Sequence, residues 1–251
     1  FLGLPAVILW SAWGGHIPYS ELALLIGGHF LYGILIIGIS LFSASVFSST
    51  ASASIFAIGL IISSWLIDFG KEMNISPLLL SMSGWTLTDA AKYFEDGIFS
   101  LRVVLYFFLL SATLLTVSYV LLRPDLKTRW RQLFIVAGIG LILIKLSSSV
   151  AFDKDITESF RNSFPPHSTS AIKKIPLLEI DVHMERTDSR FKDYEKSFLK
   201  RLLLIKRDVR VVMVKGDKLK EDYGLYVYKV GDKSDKTYSN SEEEIFPILF
   251  E

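Results

Sequence analysis

The residues able to do chemistry are few, and they sit in two very different settings. Up to residue 150 they are Glu21, His29, Asp68 and Lys145, each set in or beside a long apolar run. An ionisable group inside such a run is expensive to keep, so each invites a transport or proton-relay reading. Glu21, Asp68 and Lys145 fall at the ends of runs, whereas His29 lies about two turns into one. His29 is therefore the possible intramembrane polar site, with helix packing or hydrogen bonding as its plain alternative. Beyond residue 150 the candidates are Asp181, His183, Glu185 and Asp188, which are metal-ligating types. Alternation along Glu179–Met184 puts Asp181, His183 and Glu185 on a strand face opposite Ile180, Val182 and Met184, where solvent is the default. No metal site is expected there. Gly216-Asp217-Lys218 lacks the GxxxxGK[ST] spacing of a phosphate loop, and the chain has no cysteine for a thiolate or a disulfide. The expectation is no catalytic residue, no cofactor-binding residue and no enzyme activity in the chain itself.

The elements that must position these residues follow from how charge is distributed. Residues 1–150 hold 8 Lys/Arg and 7 Asp/Glu, and residues 151–251 hold 19 of each. One water-soluble core would not segregate charge so completely. The near-neutral balance, +1 overall, gives no electrostatic reason to expect a nucleic-acid partner. A membrane-crossing helix needs roughly 20 mostly apolar residues. Leu22–Phe47, Thr50–Ile67, Val103–Leu122 and Leu133–Val150 meet that need, the first two joined only by Ser48-Ser49. Phe1–Trp10 is too short to cross alone. It reads as the outgoing end of a longer helix, and the chain as a fragment or incomplete gene product. Small residues on the spans, among them Gly27, Gly28, Gly33 and Gly38, suit close helix packing.

Between Asp68 and Arg102 the pattern is too polar for a span. Ile75–Leu80 is apolar but interrupted by Pro77. Thr86–Phe99 reads as an amphipathic helix that Thr86 or Thr88 can cap, with Asp89 in its first turn. The segment is expected at the membrane surface or partly re-entrant, with an ordinary surface loop as the alternative. Arg123, Lys127, Arg129 and Arg131 lie within nine residues and are the topology determinants; the positive-inside rule puts this link, residues 123–131, in the cytoplasm. Parity then places the 16–19 link, the 68–102 segment and everything after Val150 outside.

Beyond residue 150 the pattern is α/β. Glu179–Met184 reads as a strand, Arg190–Ile205 as a helix capped by Asp188 or Ser189, and Val209–Val214 and Leu225–Val230 as further strands. The helix buries Phe191, Tyr194, Phe198, Leu199 and Leu202. Gly231-Asp232 turns the chain into a partner strand that includes Lys236–Tyr238. The fold class expected is an all-α transmembrane helical region followed by an extracytoplasmic α/β domain.

This layout resembles a known kind of transporter. Residues 1–122 look like the C-terminal part of an ABC-2-type permease, whose last two spans are separated by short outward-facing helices, as at 68–102. Residues 132–150 and beyond resemble the start of the gliding-motility-type auxiliary component of ABC transporters. The persuasive stretches are Asp155-Ile156-Thr157-Glu158-Ser159-Phe160-Arg161-Asn162-Ser163-Phe164-Pro165-Pro166, in a junction spanning 151–175, and Pro176–His183 at the start of an α/β domain over 176–251. The resemblance implies transport of an unidentified substrate across the inner membrane, with ATP and Mg bound by a separate ATPase subunit. The implied partners are that subunit, a second permease copy or partner permease, and the lipid bilayer. Glu21, Leu79 and Leu80 would form an outer gate. The alternative is a non-transporting scaffold that tethers an α/β binding domain for envelope or motility machinery.

Single cysteines introduced at residues 123–131 should react with an impermeant thiol reagent only from the cytoplasmic side. Those introduced at residues 155–251 should react only from outside. The absence of native thiols makes the readout unambiguous, and labelling of both regions from one side would sink the span assignment.

Overall fold

The computed structural model describes residues 3–72, 86–123, 126–214, 222–231 and 233–250. They form two compact units, one ending at Ser159 and one running from Phe160.

The first unit is helical. Helix α1 (Gly3–Ala12) precedes α2 (Tyr19–Val46) and α3 (Thr50–Glu72), followed by a short α4 (Leu87–Glu95), strand β1 (Ile98–Ser100), α5 (Leu101–Leu122), α6 (Leu126–Ser147) and β2 (Asp153–Asp155). Among the described residues, α2, α3, α5 and α6 are long and apolar enough to cross a membrane. At ~1.5 Å per residue the 28 residues of α2 reach past a ~30 Å hydrocarbon core. Helix α2 packs on α5, and α5 on α6. The buried stripe of α2 is Gly28, Leu35, Gly38, Ile39 and Ser43. A Cβ on Gly38 would lie 3.6–3.8 Å from Leu114 and the Ser111 backbone, so the two helices meet nearly backbone to backbone. Several span hydroxyls are satisfied within their own helices: Ser43 donates to Ile39 O at 2.8 Å, Thr113 to Leu109 O at 2.7 Å and Ser118 to Leu114 O at 2.7 Å, whereas the buried Ser111 Oγ of α5 has no hydrogen-bond partner among the described residues.

Among the boundaries that differ from the sequence reading, two bear on how the ends of the spans are arranged. The amphipathic helix stops at Glu95 rather than Phe99, because Gly97 at φ +76° turns the chain into β1. Strand β1 then pairs antiparallel with β2, Ile98 opposite Asp155. Residues 126–131, expected as part of a link, are the first turns of α6. Because α5 is one span, β1 and Arg123 lie at opposite ends of it. The β1–β2 pairing therefore brings residues 153–155 to the same end as α4.

The second unit is α/β. It contains α7 (Pro166–Ile172), β3 (Leu178–Val182), α8 (Ser189–Tyr194), a π-helical turn (Glu195–Leu199), α9 (Lys200–Ile205), β4 (Arg210–Met213), β5 (Tyr226–Val230), β6 (Lys233–Thr237) and α10 (Glu242–Phe250). The sheet order is β4-β3-β5-β6. Strands β3 and β4, joined by the helical run, are parallel, and the remaining pairs are antiparallel. Leu178, Ile180 and Val182 are wholly buried, as are Tyr194 and Leu202, and Phe191 and Phe198 are 1% exposed. The alternation of β3 and the helix face thus agree with the expectation. The hairpin partner of β5 is β6, entered through Gly231 at φ +60°.

Helices α7 and α10 were not foreseen. They are tied in by Arg201, whose guanidinium donates to the Ser163 carbonyl and pairs with Glu242. The same group lies 4.1 Å from the Phe164 ring centre. His183, expected in solvent, is buried. The strand pairing runs one residue past β3, with its N–H donating to Leu225 O at 2.9 Å and its carbonyl accepting from Gly224 N at 2.9 Å.

Phe198→Asp should destabilise this unit by about 3–5 kcal/mol, through lost packing and a buried charge. Lys196→Asp, on the exposed side of the same helical turn, should change stability by less than about 0.5 kcal/mol. Chemical denaturation of the two variants checks the assignment, and equal losses would refute the helix face.

Candidate functional site

One of the sequence candidates of the first unit, Glu21, stands in a cavity. Glu21, in the first turn of α2, lines a cavity of about 560 Å³ with Trp10 of α1, His16 and Pro18 of the α1–α2 link, and Phe94 and Glu95 at the end of α4. Each wall has a local cause. The Trp10 indole N–H donates to His16 O at 3.2 Å, closing the link back over α1. Gly15 leaves room for that indole, since a Cβ there would collide with the ring. Phe94 sits on Gly28 of α2, where a Cβ would likewise collide with it, and contacts Phe107 with ring centres 5.9 Å apart. Thr86 caps α4, accepting from Asp89 N at 3.2 Å.

The chain following the fourth span completes the rim. Glu158 Oε2 lies 2.5 Å from His16 Nε2, and the Glu158 N–H donates to Glu21 Oε1 at 3.2 Å. Ser20 Oγ donates to Ile156 O at 3.1 Å. Asp155 Oδ1 accepts from the Thr157 amide and hydroxyl at 2.9 and 2.6 Å, folding the Asp155-Ile156-Thr157 junction into a tight turn. The 13–18 link, α4 and residues 153–158 therefore occupy the same end of the helical unit, as charge parity requires of segments on one side of a membrane. No sequence signal tied Glu158 to His16, 142 residues away.

A second polar cluster was also missed. Asp68, buried near the end of α3, accepts from Thr86 Oγ1 at 2.6 Å and from the Thr88 hydroxyl. Ser64 Oγ accepts from Leu87 N at 2.8 Å. Thr86 was read only as a helix cap; it also fastens α4 to α3.

Among the described residues, other sequence candidates stay apart from the cavity. His29 is exposed on α2, its Nδ1 hydrogen-bonded to Leu25 O of its own helix at 2.9 Å. Leu79 and Leu80 lie outside the described residues, as do the side chain of Lys127 and the Gly216-Asp217-Lys218 stretch. Arg123 donates to Tyr119 OH at 2.8 Å and stacks over that ring at 4.7 Å, while Arg129 and Arg131 lie in the first turns of α6.

In the second unit the four metal-ligating types are dispersed. Asp181 and Glu179 bracket Lys229, whose Nζ lies 2.6 and 2.9 Å from them. Asp188 caps α8, is chelated by Arg190, and accepts from Tyr223 OH at 2.6 Å. Among the described residues no three His, Asp or Glu side chains converge on a common point. The Arg190 and Tyr223 donors hold the Asp188 carboxyl down at about 2, from an ordinary 3.8. Burial pushes the Tyr226 hydroxyl up to about 12 and the Tyr194 hydroxyl well above its usual range, leaving both as neutral core groups.

No family model, curated protein or solved structure matches this chain. The spans and the sheet define a multi-pass membrane protein with a C-terminal α/β domain.

Asp188 supplies a prediction with a definite sign. Its folded-state pKa is depressed, so the stabilisation it contributes is present above about 3.8 and lost as pH falls toward about 2. A carbon-13 carboxyl titration should place its midpoint near 2. Tyr223→Phe and Arg190→Gln should each raise that midpoint toward the ordinary value. An unchanged midpoint in both variants would refute the assigned donors.

Proposed function

We propose that the chain is the permease and auxiliary region of an ATP-binding-cassette transport system of the cytoplasmic membrane. The observation that carries this reading is α4: a short amphipathic helix inserted between two spans and seated by Phe94 on Gly28, which closes a cavity with Glu21 at the bundle end away from Arg123. Short helices in that place separate the last two spans of ABC-2-type permeases. Arg123, Lys127, Arg129 and Arg131 favour the cytoplasm for their own end, so the cavity faces outward.

In this reading ATP and Mg are held by a separate ATPase subunit that docks at the cytoplasmic end. Closure of two such subunits rocks the spans of two permease copies, and the Glu21 cavity with α4 is the outer mouth. Leu79 and Leu80 belong to the same proposed gate. The chain contributes path and coupling; the chemistry belongs to its partner. A non-transporting scaffold is the second reading, and the observation favouring it is that His29 is turned out of the bundle.

Phe94→Ala, which empties the seat on Gly28, should cut ATP-dependent transport several-fold in reconstituted vesicles. Copurification of the ATPase should be unaffected, because that contact is at the far end. Absence of both an ATPase partner and ATP-dependent transport in the unmodified chain would leave the scaffold reading.

A further inference from the structure

We propose that the cavity between α1, α2 and α4 binds an organic cation with an apolar body, its charged head at Glu21 and Glu95 and its body beside Trp10. The volume, about 560 Å³, is that of a small-molecule site. The formal charges on its walls are those of two acids, Glu21 and Glu95. The other titratable wall group, His16, is engaged by Glu158, a third carboxylate at the rim. The remaining surface is almost wholly apolar, from Ala6, Val7, Ile17, Leu22 and Leu25.

This combination selects by charge as well as by size. Carboxylates bordered by apolar walls attract a cation more strongly than they would in open water. Trp10 has its N–H committed to His16 O, so its π surface is what remains to offer a ligand, and indole is the strongest of the aromatic cation partners. Glu21 accepts the Glu158 amide at 3.2 Å, which holds that carboxylate in place on the cavity wall. An anion of the same body meets two like charges, and a neutral alcohol gains no charge pairing. As a substrate assignment the inference rests on the permease reading; as a binding site it stands on the lining alone.

The test uses the 251-residue chain in nanodiscs of zwitterionic lipid, with Trp13, Trp65, Trp85 and Trp130 replaced by Phe so that Trp10 reports alone. Hexyltrimethylammonium should shift its fluorescence saturably, while hexanoate and hexanol should give only unsaturable partitioning. Glu21→Gln and Glu95→Gln should each weaken the cation roughly threefold and together about tenfold. Since Glu95 is exposed, its conservative variant tests charge without endangering the fold. Equal responses to all three compounds, or full affinity in the double Gln variant, would overturn the proposal and make the cavity a lipid-filled crease. Saturable cation binding without ATP-dependent transport of the cation supports the site and removes its assignment to a transport path. Transport of some other solute by a chain that binds no cation overturns the proposal alone.

Discussion

Lipid gives two apolar helices little reason to associate, so the membrane unit depends on close backbone approach, as of α2 to α5 at Gly38. There the glycine faces Ser111 and Leu114 at van der Waals distance, with Leu35 and Phe107 fully buried beside it. The same stripe of α2 offers Gly28 to Phe94, which carries α4 into position. On the other side of α5, Thr113 fills the space left by Gly140 of α6. Glycine at these sites removes a side chain so that dispersion contacts can form in a medium that supplies no hydrophobic drive. A methyl at Gly38 would just fill the contact at 3.6–3.8 Å, whereas a side chain longer than alanine's would press α2 away from α5.

Helix α3 is held differently. It is the least buried of the four spans, and it is fastened near its ends. At one end Phe56 meets Phe42 and Phe47, with ring centres 6.3 and 5.1 Å away. At the other, Asp68 and Ser64 accept from Thr86, Thr88 and Leu87. Between the two lies a cleft of about 570 Å³ bordered by Ile39, Leu60, Tyr106 and Leu110. Of the spans, α3 is therefore the one whose displacement would break the fewest packing contacts, and the Asp68 cluster would transmit that displacement to α4. In the permease reading, this couples a loosely packed span to the outer mouth.

The α/β unit obeys the opposite economy. Its core is a layer of aromatic rings between sheet and helix: Tyr194 and Tyr226 with centres 4.4 Å apart, Tyr194 and Phe198 5.6 Å apart, and Phe164 against both Phe198 and Phe246. Tyr228 OH donates to Tyr194 OH at 3.0 Å, so hydroxyls that burial would otherwise orphan satisfy each other. On the sheet's other face, Lys229 between Glu179 and Asp181 forms a solvent-side charge cluster.

The spans, the cap at Thr86, the face of the 190–205 helix and the alternation of β3 were legible in the chain because each rests on local periodicity or on a single capping side chain. The class of protein followed from the same source, since twenty apolar residues in a row constrain a helix whatever its neighbours are. The cavity was only half legible. Glu21 could be picked out as a charge at a span end, but its partners Trp10, Phe94, Glu95 and the Glu158 amide come from other elements, and sequence spacing carries no information on which helix ends meet. The small residues showed the same limit: Gly28 and Gly38 face neighbours, whereas Gly27 and Gly33 would meet nothing within 4 Å, and only the rotation of α2 in its bundle separates the two pairs. His29 was singled out for its type, yet that rotation leaves it exposed. His183 was placed in solvent by alternation and buried by a pairing that outran its strand. Tertiary structure decided these positions because helix rotation and strand pairing depend on contacts between residues tens to more than a hundred positions apart.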